Sequence, residues 1–116
     1  MPGVLGVLLA TGGGSFDVEL APDTQYAGDT AFTYAFLPVV ATVTGGAGTI
    51  TYLWSFDYEE PGGTWTIASG QGTASCSVEV GVGREVSSSA TLRCTVTRGG
   101  VSKFATAELG YSQIGG

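Results

Sequence analysis

The sequence has no histidine, a single lysine and only four basic residues in all, against ten acidic ones. Without histidine, the chain cannot build a nucleophilic Ser-His triad or a histidine-ligated metal centre. The net charge of −6 argues against nucleic acid as a partner, because such binding depends on clustered Lys and Arg that neutralise phosphates. We therefore expect a non-enzymatic protein and assign no catalytic, cofactor or metal-binding residues.

Cysteine is scarce as well, since only Cys76 and Cys94 are present. Two thiolates fall short of the four ligands of a structural zinc site. The pair could form one disulfide, worth on the order of 3 kcal/mol if it is unstrained. The two side chains could equally remain thiols that pack as small apolar groups. The sequence leaves both alternatives open.

The chain is 116 residues long, which is enough for one domain with a single core. Apolar residues make up 43% of the sequence and charged residues only 12%, while glycine occurs 20 times. So little charge indicates a surface rich in Ser, Thr and Gly, or a surface that partners partly cover.

The N-terminus carries a short apolar run, Val4 to Ala10, followed by Gly12-Gly13-Gly14. No basic residues precede this run, so an extended arm is favoured over a cleaved signal peptide. The run is also shorter than the roughly 20 apolar residues that span a bilayer, and we expect no membrane span. We divide the chain into an extended arm over 1–15 and a domain over 16–116. The candidate docking residues of the arm are Val4, Leu5, Val7, Leu8 and Leu9.

Period-two alternation of apolar and polar residues predicts an all-β fold. The predicted strands cover 16–20, 32–36, 39–43, 50–56, 65–67, 74–80, 90–97 and 101–109, with a bend at Pro38 and a loop over 21–30. Arg98-Gly99-Gly100 predicts a tight hairpin, because glycine tolerates the positive φ of such turns. Phe104 falls on the face opposite to Val101 and Ala105, so we expect a bulge in the last strand. About seven short strands with regular turns are typical of an antiparallel β-sandwich.

Three segments, TYLWSF, ATLRCTVT and RGGVSKFATAEL, together resemble the immunoglobulin-like superfamily over residues 36–111. In that family a core tryptophan on the third strand faces a cysteine on the sixth, and the resemblance assigns these positions to Trp54 and Cys94. The chain departs from antibody-type domains where the second strand offers Ala41 or Val43 instead of the partner cysteine. Leu92 stands where many members have tyrosine.

The amino-acid sequences of these segments are most similar to the Ig-like or PKD-like modules of tailed-phage virion proteins. The resemblance implies an accessory structural protein, a decoration or cement protein on a phage capsid or tail. It further implies assembly in the host cytoplasm, a location on the virion, and capsid or tail subunits or further copies of this chain as partners.

Two alternatives remain at this point. One is a carbohydrate- or host-surface-binding module at a tail tip, and the other is a secreted, extracellular bacterial adhesion domain. For the first, we expect contacts from an acidic loop over 57–63 that carries Asp57, Tyr58, Glu59 and Glu60. The same carboxylates could bind calcium, although a solvated acidic loop is favoured. Trp65 and Tyr111 could add to an aromatic platform, but the alternation favours a core position for Trp65.

Overall fold

A computed structural model describes residues 15–115 of the chain. This part of the chain is all-β and forms two sheets. Its nine strands are β1 Phe16–Ala21, β2 Thr24–Asp29, β3 Thr33–Ala35, β4 Val39–Gly45, β5 Ile50–Glu59, β6 Gly63–Ser69, β7 Ser75–Val82, β8 Ser87–Arg98 and β9 Val101–Gln113. Across residues 15–115 there is no helix long and apolar enough to cross a membrane.

The strands follow the alternation of the sequence most clearly in β8. Ala90, Leu92, Cys94 and Val96 are all buried, while the threonines between them face outward. β-branched and aromatic residues favour this pleated, half-buried environment. The hairpin that joins β8 to β9 has the predicted form, because Gly99 and Gly100 adopt positive φ of 60° and 78° between the paired residues Arg98 and Val101.

Sheet I contains β1, β4, β3, β7 and β6. β7 is central: β6 pairs with one of its edges, and β3 and β4 follow one another along the other edge. The interruption between β3 and β4 falls at Pro38, which lacks the backbone donor of a sheet ladder. β1 then pairs antiparallel with β4 and forms the far edge. Sheet II has the order β2-β9-β8-β5.

The prediction of a loop over 21–30 is wrong, because Thr24–Asp29 forms β2 and pairs in parallel with β9. The alternation indicated about seven strands, with 32–36 and 39–43 joined by a bend at Pro38. The break at Pro38 and the additional strand β2 bring the number to nine in the described part of the chain. The sequence TQYAGD contains Gly and Asp, which are rare in strands. Its extended form depends on hydrogen bonds to the C-terminal strand, and no local pattern encodes those.

The bulge expected in the last strand is also wrong. β9 pairs with β8 in unbroken register from Val101 to Ser112. This register places Phe104 on the outer face, where the guanidinium of Arg93 lies over its ring with Cζ 3.6 Å from the ring centroid. The register shifts instead in β5 between Phe56 and Tyr58, and in β6 between Ile67 and Ser69.

The core lies between the two sheets. Its largest fully buried side chains include Trp54, Tyr111, Phe16, Leu92 and Leu109. The buried indole of Trp54 donates from Nε1 to the carbonyl oxygen of Thr73 at 2.7 Å, which satisfies its one polar atom. Burying such side chains is the main favourable contribution to folding, at roughly 25 cal/mol per Å² of apolar area.

Two glutamine side chains take the place of missing strand partners. The amide of Gln71 accepts from the backbone N–H of Trp54 at 2.7 Å and donates to its carbonyl oxygen at 2.9 Å. Gln25 makes the same two bonds, each 3.0 Å, to the backbone of Leu37. Backbone groups without a partner are costly when buried and invite pairing with another chain when exposed. Gln71 therefore closes the free edge of β5 at its midpoint.

The two sheets share two ends, which we name after one residue each. At the Arg98 end, the guanidinium of Arg98 donates to the carbonyl oxygens of Gly45 and Gly48, and Lys103 donates to Ser15 beside the start of β1. At the opposite Gln113 end, the Gln113 side chain accepts from the backbone N–H of Glu85 and donates to Thr30. β8 runs between the two ends over a length on the order of 35 Å.

Candidate functional site

The outer face of sheet II carries a depression near the Gln113 end, with a volume of about 220 Å³. We call it the serine cleft. Its lining includes Tyr26, Glu60, Ser87, Ser89, Gly110 and Ser112. Ser89 pairs with Gly110, Gly110 with Tyr26, and Ser87 with Ser112, so the cleft crosses three neighbouring strands.

The cleft exists because its floor is made of small residues. Gly110 has no side chain, and the ring edge of Tyr26 occupies the space directly above it. A Cβ at position 110 would lie 2.5 Å from Cδ1 and 2.7 Å from Cε1 of Tyr26, closer than real contacts allow. A glycine inside a strand often marks such a close approach. The Tyr26 ring, 70% exposed, forms one wall of the cleft.

Glu60 forms the opposite wall and is fixed by several hydrogen bonds. Its backbone N–H donates to the carbonyl oxygen of Ser89 at 2.8 Å, and its own carbonyl accepts from Ser88 Oγ at 2.8 Å. Ser88 Oγ also accepts from Nε1 of the buried Trp65 at 3.0 Å. Ser89 Oγ donates to Glu60 Oε1 at 3.3 Å. The carboxylate is thus held beside the cleft with acceptor capacity to spare.

The four residues expected in an acidic loop lie mostly on a strand. Asp57, Tyr58 and Glu59 form the end of β5, and only Glu60 lies in the turn that follows. Asp57 forms an ion pair with Arg93, with Oδ1 and Nε 2.8 Å apart. Glu59 pairs in register with Ala90. The expected loop over 57–63 is therefore wrong, because the bulge after Phe56 lets β5 continue along β8.

Tyr58 is exposed, as the sequence indicated, and pairs in register with Thr91. Thr91 Oγ1 donates to the carboxylate of Glu108 on β9. This row of residues is next to the serine cleft on the same outer face of sheet II. Of the four predicted surface residues, Glu60 lines the cleft and Tyr58 lies beside it.

The other two aromatic candidates are in the core. Trp65 and Tyr111 are both buried, which confirms the core position favoured for Trp65 and rules out Tyr111 as a platform residue. The Tyr111 hydroxyl donates to the carbonyl oxygen of Ala31 at 2.6 Å, and its ring stacks on Tyr34. Burial, and then the nearby Asp29 carboxylate and Tyr34, raise the pKa of the Tyr111 phenol.

Tyr26 is the site residue that sequence reasoning missed. It lies in the segment taken for a loop, and its partner Gly110 is distant along the chain. The one available signal was Gly110 itself, because a glycine next to an alternating strand pattern often marks a place where another group packs closely on the backbone.

Trp54 and Cys94 are register partners on β5 and β8, and both are buried in the core. Cys76 on β7 and Cys94 are free thiols. Burial raises the pKa of each thiol from 9.0 to about 11, and the charge that Cys94 would carry adds to the effect on Cys76. Both thiols are therefore protonated at neutral pH, and a protonated thiol is a poor nucleophile and metal ligand.

Residues 15–115 contain no group of three or more Cys, Asp or Glu side chains arranged to hold a metal ion. The five candidate docking residues of the arm, Val4 to Leu9, lie outside the described residues.

Comparison of the chain with protein families, curated proteins and solved structures gives no match.

Proposed function

We propose that this protein is a non-enzymatic accessory structural protein of a virion, a decoration or cement protein that binds a phage capsid or tail. The proposal rests on an Ig-like assignment of the sandwich, and strand connectivity is the observation that carries it. The order β1-β4-β7-β6 in sheet I and β5-β8-β9 in sheet II corresponds to the ABED and CFG sheets of a constant-type immunoglobulin fold. Two strands are additional to these seven: β2, which pairs with β9, and β3, which pairs with β7.

The buried pair of Trp54 and Cys94 supports the same assignment. Trp54 lies on the strand that corresponds to C, and Cys94 lies on the strand that corresponds to F. The strand that corresponds to B carries Ala41 and Val43 in place of a cysteine. The two sheets are therefore held together by hydrophobic packing, where antibody domains also have a disulfide. The virion location itself comes from the resemblance to phage modules.

The outer face of sheet II offers apolar surface for a neighbouring subunit. Leu53 and Phe104 are both more than half exposed and lie on one row across β5, β8 and β9, with Thr95 between them. The Arg93 guanidinium lies over the Phe104 ring, so the apolar surface available here consists of Leu53 and the uncovered part of Phe104. We propose that the apolar arm provides the main attachment to the particle and that this patch adds to it.

Replacing Val4, Leu5, Val7, Leu8 and Leu9 together by serine tests the role of the arm at constant chain length. We expect the variant to lose attachment to intact particles in a sedimentation assay while its melting temperature stays unchanged. A matched control replaces five outward threonines of the sandwich by serine, and it should still attach. Attachment of the arm variant at the wild-type level would overturn the proposal.

A further inference from the structure

We propose that the free edge of β2 is a docking site for a second copy of this chain, whose apolar run Val4–Ala10 adds to sheet II as a further strand. This inference rests on the docking role proposed for the arm and deepens it, because it names the partner and the surface that the arm binds. Copies linked in this way attach to a particle together. The link between them needs no particle, so it can be tested on the purified chain.

The free edge of β2 presents backbone groups that no strand in the described part of the chain pairs with. The carbonyl oxygen of Asp29 accepts from the backbone N–H of Ile114 at 2.9 Å, so the backbone of Asp29 faces β9. In a parallel ladder, alternate residues of a strand bond to the same neighbour. The N–H and C=O groups of Thr24, Tyr26 and Gly28 therefore point away from the sheet, and all three residues are exposed.

The other edges of the two sheets are protected against strand addition. Charged side chains, very short strands and irregular pairing all discourage it. β1 carries Asp17 and Glu19 on its outer face, and β3 is only three residues long. Gln71 closes β5 at its midpoint, and the pairing of β6 shifts register near its end. β2 has an unshifted register and no charged residue before Asp29, its last.

Exposed apolar side chains flank the β2 edge on both sides of the sheet. Tyr26, 70% exposed, lies on the outer face of sheet II. Gln25 pairs with the buried Leu109, so its side chain points toward sheet I, where it bonds to the backbone of Leu37. Leu37 itself is 69% exposed. Since side chains alternate along a strand, an added strand would contact Tyr26 with one set of residues and Leu37 with the other.

The run Val4–Ala10 has the composition that this position requires. A strand with apolar neighbours on both faces has a continuous apolar sequence, and VLGVLLA contains no polar side chain. Its seven residues extend over about 23 Å, and the six residues of β2 over about 20 Å. The run carries no charge, so a partner with a net charge of −6 does not repel it.

The arm of one copy is too short to place this whole run along its own β2. The arm joins β1 at the Arg98 end, whereas Thr24 at the start of β2 pairs with Glu108, which pairs with Thr91. Along β8, Thr91 lies about 24 Å from Arg98. Residues 11–15 span at most about 18 Å when fully extended, and the chain must also reverse direction there. A neighbouring copy imposes no such limit, so it is the expected partner.

Two full-length variants separate the donor of the strand from its acceptor. The serine variant of the arm keeps the β2 edge but has lost the apolar run. Tyr26→Lys keeps the run but puts a charge on the edge. In sedimentation velocity we expect the wild-type chain to form species larger than a dimer, because donor and acceptor are different surfaces. Each variant alone should stay monomeric, and an equimolar mixture of the two should form a 1:1 complex.

A second tyrosine provides the matched control. Tyr58→Lys makes the same change of charge on an exposed tyrosine of β5, at the opposite edge of sheet II, and should associate as the wild type does. Tyr26→Lys should weaken association at least about tenfold through the loss of an aromatic contact. Gly28→Pro should have a similar effect, because it removes an outward N–H that makes no bond to β9. Thermal melts check that all three variants are folded.

The contact itself can be observed by NMR in the mixture of the two variants. With ¹⁵N in the serine variant alone, the signals come only from the acceptor. We expect the amide signals of Thr24, Tyr26 and Gly28 to shift on addition of the unlabelled Tyr26→Lys chain. Their exchange with solvent should also slow, because the outward N–H groups gain partners.

Three results would each overturn the proposal. The first is a wild-type chain that stays monomeric up to about 1 mM, where even a weak contact is populated. The second is a serine variant that self-associates as strongly as the wild type, as pairing between two β2 edges would produce. The third is wild-type association of both Tyr26→Lys and Gly28→Pro.

The virion proposal fails separately from this one. Self-association of the wild-type chain without any attachment to particles would overturn the virion proposal alone. Attachment that depends on the arm, by a chain that stays monomeric in solution, would overturn the proposed link between copies alone.

Discussion

The two sheets of the sandwich are built differently. In sheet II, β8 pairs with β9 through twelve consecutive residue pairs and with β5 through nine. In sheet I the ladders are shorter: β1 meets β4 and β6 meets β7 in six residue pairs each, β3 meets β7 in three, and β4 meets β7 in only two. Cooperative units of a protein open with very different free energies, and short ladders open most easily. We infer that sheet II is the stable half of the molecule and that sheet I adapts around it.

The outer faces differ in the same sense. The strands of sheet I carry Asp17, Glu19 and Glu79 but no lysine or arginine. On sheet II, Arg93 is held between Asp57 and the ring of Phe104. The outer face of sheet I is acidic and solvated, so two copies of it would repel each other. The outer face of sheet II has side chains held in fixed positions, as a binding surface requires.

Truncating one core leucine in each sheet should give the largest contrast. Leu92 is fully buried in β8 between two strands, and Leu20 is buried on the edge strand β1. We expect Leu92→Ala to lower the free energy of unfolding by about 4 kcal/mol and Leu20→Ala by about 2 kcal/mol, because an edge can close over a cavity. Urea denaturation measures both. Equal losses would contradict the difference between the sheets.

Amide hydrogen exchange tests the same comparison without mutation. We expect the amides of β3 and β4 to exchange about a hundredfold faster than those at the centre of β8 and β9, a difference of roughly 3 kcal/mol in opening free energy. Mass spectrometry of peptides from the labelled chain gives the rates. A single uniform rate would mean that the two sheets open together.

The glutamines allow a smaller, matched contrast. Gln71→Ala should cost about 2 kcal/mol, because it leaves the partly buried backbone groups of Trp54 without partners. Gln25→Ala removes the same two bonds from Leu37, whose backbone is exposed to water, and should cost about 0.5 kcal/mol. Thermal melts suffice for this measurement. The Gln71 variant should also self-associate, since β5 then presents an open edge.

Surface charges should have the smallest effect. Arg93→Ala removes a half-exposed ion pair and the contact with Phe104, and we expect a loss of about 1 kcal/mol. Glu79→Ala on sheet I should change the stability by less than about 0.5 kcal/mol. High salt should reduce the first effect and leave the second unchanged. A larger loss for the Glu79 variant would contradict the comparison of the outer faces.

Local patterns in the sequence predicted the all-β class and most of the strands. Strict alternation identified β8, where each buried residue lies between serine, threonine or arginine neighbours that face outward. The alternation also placed Phe104 correctly on the face opposite to Val101 and Ala105. Because a phenylalanine on the outer face is unusual, it was interpreted as a sign of a bulge. The shielding cation, Arg93, is supplied by the neighbouring strand, so β9 alone could not reveal it.

The site was predictable only in part, because it depends on contacts between distant residues. Glu60 and Tyr58 are close in sequence and were found together. Tyr26 joins them only because β2 pairs with β9, and the space that its ring occupies is created by a missing side chain at Gly110. Because β2 pairs in parallel with β9, no hairpin turn connects the two strands, and the sequence around Tyr26 has no clear alternation from which a strand could be predicted.

The serine cleft lies near the Gln113 end of the sandwich, whereas the arm joins β1 at the Arg98 end. The length of β8, on the order of 35 Å, therefore separates the cleft from the start of β1. A partner bound beside Ser15 and a molecule in the cleft would occupy separate surfaces, so that binding of one leaves the other surface open.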